Sequence, residues 1–227
     1  MKKIISIVLV LATVFTFFSC GGDGDESVAA SIKEINDMYN AVSPSMVVTE
    51  STRNFGSYSL VNKGTLKVGS AGGFDVAVYE YSNEQLRDIE SGSGAEVLGV
   101  IETVTGIREY HEELGYRENG GKWDEDGEDF TPETGAIALN LTEATVQDFK
   151  YDKETKTYTF TVLTANTEAV FGQAIESDVA VTLTRTAADI VGVTLAYAIK
   201  SKSKDHPEIQ VTLKASYYYE TQTITIN

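Results

Sequence analysis

Few residues of this chain could do chemistry, and those few are poorly placed for it: one cysteine, two histidines and a run of acids. His111 opens the stretch "HEELG". A zinc-binding helix of the hydrolytic kind needs a second histidine four positions on, on the same face, and Gly115 stands there instead. His206 precedes Pro207 in a lysine-rich turn and reads as solvated. Two histidines in such contexts assemble no serine–histidine–acid arrangement. In "WDEDGEDF", Asp124, Asp126 and Glu128 have the alternating spacing that suits calcium. A helical calcium loop, however, has glycine at its sixth position and glutamate at its twelfth. Counted from Asp124, glycine is fourth and Gly135 is twelfth, so the run reads as a solvated acidic hairpin. The glycines of "VGSAGGF" lack the lysine and the following helix of a phosphate loop. No metal, no cofactor and no catalytic residue is expected, and the chain reads as a non-enzyme. Carboxylates paired only in space would leave no local trace, so a hydrolase stays open.

The cysteine has a different logic. Lys2 and Lys3 form a basic start, residues 4–18 are a nearly unbroken apolar run of 15, and Ser19 is a small residue just before Cys20. The run is short of the roughly 20 residues that span a bilayer, and it has the form of an export signal. Phe17-Phe18-Ser19-Cys20 resembles the lipobox of bacterial lipoproteins, with phenylalanine at Phe17 where that family favours an aliphatic residue. The resemblance implies cleavage before Cys20 and acylation of its thiol. Acyl chains contribute about 0.8 kcal/mol per buried methylene, which makes a multiply acylated cysteine a firm anchor. Residues 1–19 are then a signal peptide. Residues 20–27 are an acidic, glycine-rich tether, and 28–227 form one β-rich domain. The implied address is the bacterial cell envelope, extracytoplasmic and tied to a membrane through Cys20. The acidic residues after the cysteine also resemble surface-export signals, which points to the outer face of an outer membrane. Loss of Lys2 and Lys3 takes the net charge from −16 to −18, a field that repels nucleic acid and anionic headgroups.

Stability has no disulfide to draw on and must come from burial. Residues 28–42 place Val28, Ile32, Ile35, Tyr39 and Val42 at helical spacing, with Ser27 as cap and Pro44 as stop. Beyond Pro44 the period changes to two. Strands are expected at 46–52, at 58–61 and 65–68 across an Asn62-Lys63-Gly64 turn, and at 74–81. A short helix is expected at 83–90, then strands at 96–105 and 107–116. "ENGGKW" reads as a turn, and Thr142 as the cap of a short helix. Strands follow at 157–164 and in three long alternating runs that include Val179 to Leu183 in odd numbers, Val191 to Ile199, and Ile209 to Tyr219, with Ile224 and Ile226 closing the chain. Short polar links favour antiparallel neighbours.

An early helix followed by a long antiparallel meander ending in "ASYYYETQTITIN" resembles the lipoprotein-carrier half-barrel family. That resemblance implies a mainly β (α+β) fold, an open curved sheet around the helix, with a β-sandwich or closed barrel as the alternative. It also implies a lipid or other apolar or amphiphilic ligand held in the concavity. The residues that alternation places there are Val193, Leu195, Tyr197, Val211, Leu213 and Tyr217. The competing expectation is a surface-displayed binding or assembly module whose loops, near Trp123, recognise a protein or glycan.

Overall fold

The structure is a computed structural model that describes residues 27–90, 97–125, 137–201 and 207–226. The expected signal and tether, Cys20, His206 and the acids at 126–129 lie outside these residues.

Helix α1 (Val28–Ala41) starts where its cap residue allows. The Ser27 hydroxyl accepts from the Ala30 amide at 3.3 Å, satisfying one of the free donors of the first turn. Val42 is already extended, and Pro44 follows it. Of the expected apolar stripe, Ile32 and Ile35 are buried and Tyr39 is half-buried. Val28 and Val42, at the two ends, are exposed.

Ten strands make one sheet: β1 (Met46–Asn54), β2 (Ser59–Ala71), β3 (Phe74–Glu90), β4 (Val97–His111), β5 (Gly115–Glu118), β6 (Val146–Asp152), β7 (Thr157–Val162), β8 (Val179–Arg185), β9 (Ile190–Lys200) and β10 (Glu208–Tyr218). A five-residue helix, α2 (Thr167–Phe171), lies between β7 and β8. The strand order is β5-β4-β3-β2-β1-β10-β9-β8-β7-β6, and every pair is antiparallel. β5 and β6 are the two edges and do not pair with each other. The sheet is therefore open, not a closed barrel, and among the described residues there is no second sheet to form a sandwich.

The topology sets the central problem of the fold. The chain starts in the middle of the sheet at β1 and meanders out to the β5 edge. It must then reach the opposite edge at β6 before meandering back to pair β10 with β1. Nine inter-strand spacings separate those edges, about 43 Å at roughly 4.8 Å each. Residues 137–141 of this connection run against α1 on the apolar face, with Leu139 and Leu141 buried and Ile137 half-buried.

Three expected boundaries differ. The strands at 58–61 and 65–68 are one strand, β2, with Gly64 inside it. The strands at 96–105 and 107–116 are β4, which runs through Gly106, followed after a tight turn by β5. The helix expected at 83–90 is the second half of β3 and pairs residue for residue with β4. Ile224 and Ile226 belong to no strand; Ile224 is buried against Gly69. The turn at "ENGGKW" is present, with Asn119 at φ 50° and Gly120 at φ 70°. Thr142 opens a 3-10 turn over Glu143–Thr145.

Burial is lopsided. Directly opposed residues share a face, so the register places Tyr158, Phe160, Val181, Leu183, Val193, Leu195, Ala215 and Tyr217 together on one face of β7–β10. These pack with Ile32, Ile35, Leu139, Leu141, Val170 and Phe171 as the core. On the other wing, β3 and β4 outrun β2, whose pairing with β3 ends at Asn83. Residues 84–90 and 97–103 then leave the sheet as a two-stranded arm roughly 23 Å long.

Candidate functional site

The crossing segment 137–141 is held to the helix by side chains. The Asn36 amide donates to Leu141 O at 2.8 Å and its oxygen accepts from Leu141 N at 3.3 Å, so one side chain satisfies both backbone groups of a buried residue. The Tyr39 hydroxyl donates to Ile137 O and lies 2.8 Å from the Tyr217 hydroxyl, which accepts from Ile137 N at 3.2 Å. The two rings meet edge to face with centroids 5.8 Å apart. Burial pushes the Tyr39 phenol well above its ordinary range and raises that of Tyr217. Asn140 N donates to Val170 O at 2.9 Å and ties the same segment to α2.

Where these elements meet at the C-terminal end of α1, they leave a cavity of about 580 Å³. Tyr39, Val42, Pro44, Ile137, Leu139 and Val170 give it apolar walls. Asn40, Ser43 and Asn140 add polar groups. That volume lies within the roughly 300–1,000 Å³ range of small-ligand sites, and the lining suits a molecule with an apolar body and a polar end.

The middle of α1 is docked by an ion pair. Arg185 reaches Glu34 Oε2 at 2.7 Å and also donates to the Tyr158 hydroxyl at 2.7 Å; Tyr158 donates to the same carboxylate oxygen at 2.9 Å. The Arg185 guanidinium beside Glu34 holds that carboxyl below its usual range, while burial pushes the Tyr158 phenol up to about 12.

The alternating residues Val193, Leu195, Tyr197, Val211, Leu213 and Tyr217 do share one face. Val193, Leu195, Val211 and Tyr217 are buried there, and Leu213 is half-buried against the core. Val193, Leu195, Leu213 and Tyr217 pack in the core with α1 and residues 137–141, so a ligand would reach them only if those elements lifted. Tyr197 is different: with Ile199, Ile175 and Lys200 it lines a separate cavity of about 270 Å³. Asn36 and Tyr39 were not singled out as site residues from sequence, although Tyr39 sits in the helical stripe. The alternation in "IALNL", residues 137–141, was the available signal for the crossing segment.

At the β5 edge, on the opposite face, Glu109 is buried and bound by Arg117 at 2.6 and 2.8 Å. The same guanidinium lies 4.4 Å over the Trp123 ring, and His111 packs between Trp123 and Phe74. His111 is thus a strand residue in an aromatic row, its Nδ1 accepting from Glu113 N at 3.1 Å. Asp124 exchanges backbone hydrogen bonds with Tyr116 at 2.8 and 3.1 Å. Among the described residues, no three histidine, cysteine or acidic side chains gather as a metal site, and no helix is long and apolar enough to cross a membrane.

No protein-family model matches the chain, and no curated protein matches it. A solved structure of a DUF1329 family protein from Desulfovibrio piger is 9% identical, with 84% of this chain and 92% of that one covered at a TM-score of 0.26. The functional reading rests on the chain's own geometry.

Proposed function

We propose that this chain is a non-enzymatic lipoprotein, anchored outside the cytoplasm through Cys20, that binds an apolar or amphiphilic ligand in the cavity at the end of α1. The observation that supports it is the cavity of about 580 Å³, apolar in its walls and polar at Asn40, Ser43 and Asn140. Its position also matters. It forms where the crossing segment, α1 and α2 meet, so ligand could enter without dismantling the sheet. The half-barrel concavity of the carrier resemblance is here occupied by α1, which moves the expected ligand site from beneath the helix to its end.

Ala169 is exposed on α2 and lines the cavity. Ala169→Trp should fill it and weaken a fluorescent fatty-acid probe at least about tenfold, with an unchanged unfolding midpoint. Native mass spectrometry of the purified chain should show co-purifying amphiphile that the variant lacks. A wild-type protein that takes up no probe and carries no small molecule removes the reading. The anchor has its own test: metabolic labelling with a fatty acid should mark the wild type and leave Cys20→Ser unmarked.

A further inference from the structure

The outer side of β4 is open along most of its length. β5 pairs only with Arg108 to His111, and no described strand pairs with residues 97–107 on that side. Two sets of hydrogen bonds fix which backbone groups point there. Glu112 N donates to Asp75 O at 2.9 Å, so even-numbered positions of this run face β3. Asn119 N donates to Ile107 O at 2.8 Å, and Ile107 N donates to Asn119 Oδ1 at 2.8 Å, so odd-numbered positions face outward. Antiparallel alternation then aims the N–H and C=O of Gly99, Ile101, Thr103 and Thr105 at the outer edge.

Natural edge strands are shielded by proline, lysine or a bulge. Residues 97–107 contain neither proline nor lysine, and their register with β3 runs without a bulge. Their exposed apolar side chains lie on both faces: Val100 and Val104 on one, Ile101 and Ile107 on the other, each 39–45% exposed. The charge is one-sided. The strands 84–90 and 97–107 carry Glu84, Asp88, Glu90 and Glu102 against Arg87 alone, which lies 3.7 Å from Glu102, and the whole chain stands at −16. A second copy would bring the same acidic ribbon to the edge, so like charge opposes self-pairing.

We propose that the outer edge of β4 is a docking site for an extended basic segment of another protein, which adds to the sheet as a further strand. Backbone hydrogen bonds from the four outward residues supply the pairing. Apolar side chains of the segment pack on Val100, Val104 and Ile101, and its lysines or arginines meet Glu102 and the net negative field of the chain. This surface is remote from the cavity in the sheet order and stands or falls without it.

The probe is a synthetic strand peptide alternating lysine with valine and threonine, labelled and titrated with the purified chain by fluorescence anisotropy. It should bind, and binding should weaken at least about tenfold between about 50 and about 500 mM salt. A peptide with glutamate in place of lysine should not bind. Thr103→Pro removes an outward donor, the one strand position where proline is tolerated, and should weaken the lysine peptide at least about tenfold. Ile101→Lys leaves the backbone intact and should weaken it through like charge. No binding of the lysine peptide, equal binding of the glutamate peptide, or full affinity in both variants overturns the proposal. So does a wild-type dimer in sedimentation that Thr103→Pro dissolves, since the edge then belongs to a second copy.

Discussion

A single carboxylate, Glu34, is the electrostatic latch between helix and sheet. It receives hydrogen bonds from both Arg185 and Tyr158, and the Arg185 side chain is only 13% exposed. Arginine cannot shed its charge, so removing the carboxylate leaves a cation in a site that water reaches poorly. Glu34 itself is 37% exposed, so solvent screening reduces what the pair contributes. Glu34→Gln should cost about 1 kcal/mol at pH 7 in urea unfolding. The pH dependence has a definite sign. Arg185 holds the folded-state pKa of Glu34 below its unfolded value. The stabilisation is therefore fully present above the ordinary glutamate pKa of about 4.3 and is lost as pH falls through the lower folded value. Wild type and variant should differ in urea midpoint at pH 7 and converge as pH falls below the lowered folded-state pKa of Glu34. A gap that persists unchanged in acid would show that the latch acts by packing, not by charge.

Strands are where sequence and structure part company, and glycine is the reason. Gly64 and Gly106 look like turn residues in a one-dimensional reading, yet each lies inside a long strand beneath a cross-strand tyrosine, Tyr79 over Gly64 and Tyr81 over Gly106. A Cβ on Gly64 would stand 2.6 Å from Tyr79 Oη and 2.9 Å from Thr49 Oγ1. The ring fills the space that a side chain would take, so the glycine lets the aromatic lie flat on the sheet. Gly192 in β9 is the contrast: its Cβ would meet Thr184 Cβ at an ordinary 3.6 Å. Gly64→Ala should destabilise by about 1 kcal/mol, because displacing Tyr79 outweighs the roughly 0.5–1 kcal/mol that alanine gains in a strand. Gly192→Ala should be neutral or stabilising by about 0.5 kcal/mol. Thermal unfolding of the pair separates close approach from backbone preference. The helix and the last three strands were legible because cap, stop and period are local signals. The course of residues 83–90 was not, since "NEQLRDIE" has a helical composition and becomes a strand only because Glu84 to Glu90 lie opposite Val97 to Thr103. The cavity was equally invisible: it is made by Asn36 and Tyr39 meeting residues 137–141, about a hundred positions away along the chain.

At the scale of the whole molecule, one continuous sheet is built from two unequal wings. β6–β10 have an apolar face sealed by α1, α2 and the crossing segment, with Tyr158, Val162, Val179, Leu183 and Ile190 all fully buried. On the far side of β1 burial fades, and beyond Asn83 the β3–β4 arm pairs, among the described residues, only within itself and exposes Leu86, Val100, Ile101 and Val104. A two-stranded ribbon is at best marginally stable in water. Hydrogen bonding alone adds little net free energy, so protection should follow burial across the sheet even though the backbone ladder is unbroken. Amide hydrogen exchange should show this gradient. The amides of Val100, Glu102 and Val104, which face β3, should exchange through local opening long before those of Val181, Leu183 and Leu195, which require global unfolding. If the edge of β4 takes a basic strand, saturating the chain with the lysine peptide should slow exchange in the arm and leave the β7–β10 amides unchanged. Arm amides as slow as the core in the free protein would mean that the arm is already covered, and the docking proposal would lose its vacant edge. An arm that is open and yet selectively protected by the peptide is the outcome that the lopsided burial of this sheet requires.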